Sequence, residues 1–140
     1  MKNFFTLLFL LSYFSTFSQI SLTGTSYTQS FDGISAGLPT GWSVRTGASA
    51  ASLGNTVTYT TTATSWGNTT AQFHNSAAAE SPATSADNST TQATRTDRAL
   101  GVRQSSSFGD PGAAFVLQIA NTTSFTGFSI DFKLQQGDIT

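Results

Sequence analysis

Cysteine is absent from the 140 residues, and with it go disulfides, thiolate zinc sites, cysteine nucleophiles and a lipid anchor built on an amino-terminal cysteine. Histidine and glutamate occur once each, as His74 and Glu80, so acid–base and metal chemistry have few donors to draw on. Charge is scarce, with six Lys or Arg against seven Asp or Glu. The basic residues Arg95, Arg98 and Arg103 are few, and Asp97 and Asp110 lie among and beside them. A phosphate backbone needs a denser cationic patch, so no nucleic-acid partner is expected. No stretch reaches the ~20 apolar residues of a spanning helix, so no membrane span is expected either.

What the chain does have begins with Lys2 and an apolar run of eleven residues from Phe4 to Phe14. A short basic start, a short apolar run and then small residues make the pattern of an export signal. Thr16 and Ser18 stand third and first before the expected cut between Ser18 and Gln19. The reading is therefore a signal peptide at 1–18 and a secreted or cell-surface protein of 122 residues. That length suits one domain. The mature part carries five basic and seven acidic residues, a formal charge of −2.

Ser and Thr supply 39 of those 122 residues, while Leu, Lys and Glu are scarce, and no segment carries a helical apolar period. No helix is predicted. Short alternating runs broken by Gly, Asn, Asp and Ser instead predict an all-β, antiparallel β-sandwich. The clearest run sets Phe128, Ile130, Phe132 and Leu134 against Ser129, Asp131 and Lys133. It is expected to bury one face and to pair with 115–119 as a hairpin through 121–127. Further strands are expected at 27–31, 42–45, 57–62, 70–74 and 98–104. Leu38 to Gly41 should turn the chain into Trp42, whose spacing from Val44 makes it a core anchor. Gly109 to Gly112, with Pro111, should form a type II turn opened by Asp110, a role that outweighs catalysis for that aspartate.

Between Asn75 and Thr96 no large apolar residue occurs, which predicts a 22-residue mobile loop. Glu80 falls inside it, where a glycosidase carboxylate pair would not hold its spacing. His74 is read as a solvated strand-end residue opposite Phe73. No G-x-S-x-G elbow or phosphate-cradling loop accompanies it, so no enzyme is expected. Calcium is the one metal whose ligands remain, from Asp32, Asp97, Asp110, Asp131 and Asp138, though none has the spacing of an EF-hand loop. Asn68, Asn88 and Asn121 each open an N-x-S/T triplet. The candidate ligand site is Trp66 with Asn68 and Thr69. The indole would stack on a sugar ring and the two polar neighbours would bind its hydroxyls. Tyr27 and Tyr59 could join only through the fold.

The segment YTQSFDGISAGLPTGWSV, from Tyr27 to Val44, resembles the opening of secreted lectin-like or MAM-like modules in bacterial surface and type IX secretion cargo proteins. The block from Asp97 to Asp138 is similar to a strand block in the same proteins. The resemblance covers about half of the mature chain. It implies a jelly-roll sandwich that serves as an accessory module, and no catalytic residue carries over. In that family further strands follow the position of Phe128 to Leu134, so the chain is expected to be an incomplete module with one open sheet edge.

The functional expectation is a secreted, non-catalytic binding or adhesion module for an extracellular glycan or a cell-surface protein. A structural spacer within a larger surface protein is the alternative. The third reading is an accessory part of an extracellular hydrolase whose catalytic domain lies downstream.

Overall fold

The computed structural model describes residues 18–77 and 87–134. Among these the chain forms a 3-10 turn (Ile34–Ala36), strands β1 (Trp42–Thr46), β2 (Asn55–Thr56), β3 (Thr60–Ala63) and β4 (Gln72–Ala77), helix α1 (Ser89–Thr94), and strands β5 (Arg98–Arg103) and β6 (Ala114–Leu117). Two three-stranded sheets result, ordered β2-β1-β6 and β3-β4-β5. The fold is all-β, as the alternation predicts. One pairing departs from the antiparallel expectation, because β3 runs parallel to β4.

The first sheet follows from its alternation. Trp42 lies opposite Leu117 and Val44 opposite Phe115, and residues directly opposite share a face, so one side of the ladder is apolar. Chain entry is set by a turn in which the Trp42 amide donates to the Pro39 carbonyl at 3.0 Å. Gly41 takes φ of 82° there, and a Cβ on it would meet Ile20 Cγ2 at 2.8 Å. Ile20 in turn extends the sheet beside Ile119, through its amide on the Gln118 carbonyl.

The sheets meet through aromatic edges. Phe73 on β4 has no exposed surface and sits T-shaped to Phe115 at 5.5 Å and to Phe108 at 5.7 Å. Phe73, Val44, Ile34 and Ala77 form the buried apolar core among the described residues. Trp42, expected as a core anchor, is only half-buried, with Phe31 edge-on at 4.8 Å and its indole N–H donating to the exposed Tyr27 hydroxyl. Val44 and Phe73 take the inner positions instead.

The expected 22-residue loop is wrong at both ends. Asn75 to Ala77 complete β4, and Ser89 to Thr94 form α1, the helix that composition did not predict; residues 78–86 lie outside the described residues. Local capping explains the helix. The Asn88 side chain accepts the Thr91 amide at 2.9 Å, and Gln92 is buried with its Oε1 accepting the Ala77 amide. The same device accounts for the other N-x-S/T triplets. Asn68 accepts from the Thr70 amide and Asn121 from the Thr123 amide, each at 2.8 Å.

Other expectations shift. Residues 27–31 hold no strand, only 60–62 of the expected 57–62 strand are strand, as part of β3, and β4 begins two residues later than predicted. The Asp110–Pro111 bond is cis, and the reversal closes by the Ala113 amide on the Gly109 carbonyl, not as a type II turn. The largest correction concerns 128–134, which form no hairpin with 115–119. Residues 114–117 pair with β1, while Phe128, Ile130, Phe132 and Leu134 are all exposed. The alternation is real, but no described surface covers it.

Candidate functional site

Trp66 stands on a loop between β3 and β4 whose shape comes from polar side chains. Asn68 donates its amide to the Ser65 carbonyl at 3.0 Å and caps Thr70, and the Trp66 amide donates to the Asp87 carbonyl at 2.9 Å. Trp66 and Asn68 line a broad open cleft of about 2740 Å³ that Tyr27, Trp42, His74 and Phe115 also line. Trp66 is half-buried and so presents part of its indole to that opening. Thr69 is exposed but does not line the cleft, and neither does Tyr59, whose buried hydroxyl has no hydrogen-bond partner among the described residues. The fold thus keeps Trp66 and Asn68 on one opening, adds Tyr27 and Trp42, and leaves Thr69 aside.

His74 is not the solvated residue that alternation predicts. It sits buried within β4, opposite Gly101 of β5, where a side chain on the glycine would collide with Ser76 Oγ at 2.5 Å. Its ring joins both ends of the Trp66 loop, with Nδ1 3.1 Å from Thr64 Oγ1 and Nε2 3.2 Å from the Thr70 carbonyl. A carbonyl only accepts, so Nε2 carries the hydrogen and Nδ1 accepts from the Thr64 hydroxyl. His74 is thus a positioning residue that sequence reasoning missed, because its partners are contributed by the loop and not by its strand neighbours.

Burial holds the His74 pKa below its ordinary 6.5, opposed in part by the hydrogen bond to Thr70 and reinforced by the charge of Arg103. Below pH 6.5 the unfolded chain therefore binds more protons than the folded one, and stability falls as pH falls until the folded pKa is passed. Denaturant melts from pH 7.5 to 5 should show this slope in the native protein and a shallower one in His74→Gln. Equal slopes would mean that the imidazole does not titrate on unfolding.

A second, smaller cavity of about 530 Å³ is lined by Asp32, Thr61, Asn75, Arg95, Thr96 and Arg98. Arg98 dominates it, buried at 4% exposure under the end of α1. Its Nε donates to Asn75 Oδ1 at 2.8 Å, Nη2 to the Asn75 carbonyl at 2.9 Å, and Nη1 to the carbonyls of Gln92 and Arg95. Four directed bonds leave one N–H uncommitted, so the group acts as a fastener between α1 and β4. Asp32 accepts the Arg98 backbone amide, and no three carboxylate or imidazole residues gather among the described residues. The aspartates offered as calcium ligands at 32, 97, 110 and 131 are therefore not brought together, and Asp138 lies outside the described residues.

Comparison with known protein families, with curated proteins and with solved structures finds no match. The class that fold and sequence define is a small all-β protein.

Proposed function

We propose that this chain is a secreted, non-catalytic binding module that takes an extracellular glycan on the cleft bearing Trp66. The observation that carries the reading is the combination of a half-exposed indole with a loop tied at both ends by one buried imidazole. Such a platform loses little freedom when a ligand settles on it, which is how preorganisation raises affinity. A sugar ring offers apolar C–H faces to an indole and hydroxyls to nearby polar groups. Tyr27 and Trp42 supply further aromatic surface on the same opening, and the charge-poor composition suits a neutral ligand.

Catalysis gains no support from the geometry. His74 has both ring nitrogens engaged in holding the loop, which leaves neither for proton transfer to a bound molecule. Residues 1–17 of the signal peptide expected at 1–18 lie outside the described residues, while Ser18 and Gln19, on either side of the expected cut, are exposed. Export remains part of the proposal and rests on the sequence pattern of residues 2–18.

The test is affinity electrophoresis or pull-down on a panel of insoluble and soluble polysaccharides, comparing the native protein with Trp66→Ala after circular dichroism has shown both to be folded. Binding by the native protein that drops at least about tenfold on substitution is expected, since stacked aromatics contribute strongly to binding. Binding that survives the substitution, or no binding to any glycan of the panel, overturns the reading.

A further inference from the structure

The smaller cavity carries two opposite charges that do not answer each other. Arg98 lines it and is buried, yet its guanidinium forms no ion pair among the described residues. Every group it bonds is neutral, namely the Asn75 side chain and the carbonyls of Asn75, Gln92 and Arg95. The Nε hydrogen and both hydrogens of Nη1 are engaged, and one hydrogen of Nη2 is left over. Burial pushes the Arg98 pKa down, and the influence opposing it comes from the Tyr59 phenol and not from a carboxylate. A buried cation so placed is costly until an anion meets it.

Asp32 lines the same cavity and is exposed. One of its carboxylate oxygens accepts the Arg98 backbone amide at 3.1 Å, and no cation pairs with it among the described residues. The third charge on the wall, Arg95, is already met by Asp87 at 3.7 Å. Thr61 and Thr96 add hydroxyls. The volume of about 530 Å³ lies within the ~300–1,000 Å³ of small-molecule sites. A simple anion would gain from Arg98 and be opposed by Asp32, and a simple cation would meet the reverse. Only a ligand bearing both charges gains from both residues.

We propose that this cavity binds a small zwitterion of the α-amino acid class, its carboxylate on Arg98 and its ammonium on Asp32. The carboxylate accepts the spare Nη2 hydrogen, and pairing with a buried charge supplies most of the affinity, because charge–charge attraction strengthens where water is excluded. The exposed Asp32 contributes less and selects for the ammonium. Trp66 lines the other opening, and Arg98 alone among the residues of this cavity also borders that opening. Amino-acid binding here is therefore separate from glycan binding at Trp66.

Nuclear magnetic resonance titration of the full chain with L-alanine, propionate and ethylammonium should move the Arg98 Nε–H and Thr96 amide signals, with alanine binding most tightly. Asp32→Asn keeps an oxygen for the Arg98 amide and changes an exposed position, so the fold is retained. That variant should bind alanine about two- to fivefold more weakly, the range for an exposed ion pair, and propionate at least as tightly as the native protein does. Trp66→Ala should bind alanine as the native protein does. Signals at Arg98 and Thr96 that move with none of the three compounds overturn the proposal. So does alanine that binds no better than propionate, or that is indifferent to Asp32→Asn. Alanine whose shifts fall on Tyr27 and Asn68, or whose binding is lost in Trp66→Ala, lies in the larger cleft and equally overturns it.

Discussion

Phe73→Ala is expected to lower stability by about 3–5 kcal/mol, the range for removing a large aromatic from a closed core. Phe73 has no exposed surface and touches both Phe108 and Phe115, so it is the residue through which one sheet meets the other. A cavity left there cannot be filled from β4, whose neighbouring positions on the same face are Asn75 and Ala77. With total stabilities of about 5–15 kcal/mol for ordinary domains, such a loss approaches global unfolding. Urea melts measure it. Phe73→Leu should recover much of the difference, because it retains most of the apolar volume. Trp42→Ala should cost less than Phe73→Ala, since the indole is half-exposed and bonds to an exposed hydroxyl. The reverse order would mean that the core lies between β1 and the Tyr27 segment.

Arg98→Met is expected to cost about 2–4 kcal/mol. The stem of the side chain keeps its volume, but the carbonyls of Gln92, Arg95 and Asn75 and the Asn75 side chain lose their donor in a buried setting. Each buried acceptor left unmade costs about 1–3 kcal/mol, offset in part by relief from burying a charge. Arg98→Lys keeps the charge but has no planar fork to reach both Asn75 and the end of α1, so it should recover little. The local signature is hydrogen exchange. Amides of α1 should lose protection in Arg98→Met, while those of β1 and β6 follow only the global change. A variant as stable as the native protein, with α1 protection intact, would show that Asn88 capping alone holds the helix.

These residues show why part of the fold was hidden from the sequence. The strands β1 and β5 announce themselves because apolar and polar residues alternate within them, and β6 because it is a short, wholly apolar run. Strand β4 was legible only as far as His74, because beyond it Asn75 and Ala77 are also buried and the sheet closes on polar groups there. Asn75 is tolerated inside because Thr61 and Arg98 satisfy it, and those partners lie 14 and 23 positions away. The helix was hidden for a similar reason. Thr-rich residues are weak helix formers, and α1 forms through the Asn88 cap, the Gln92 bond to β4 and the Arg98 guanidinium at its last carbonyls.

The candidate site divides along the same line. Trp66 and Asn68 were legible because an indole amid turn residues stands out from an alternating strand, whereas Thr69 was included by proximity and lies off the cleft. Tyr27 and Trp42 join the opening by folding. The role of His74 was invisible, since a lone histidine beside Phe73 carries no sign of a loop whose two ends meet its ring.

By itself the sequence determined the all-β class, the absence of cysteine chemistry and the approximate positions of β1, β5 and β6. Those follow from composition and from the two-residue period of a pleated chain, which are local properties. Tertiary structure alone decided which strands pair, that 114–117 join β1 instead of 128–134, that β3 runs parallel to β4, and that Arg98 and His74 are buried fasteners. Each of those depends on partners far away in the chain, and a polar residue's partner fixes whether burial is tolerated.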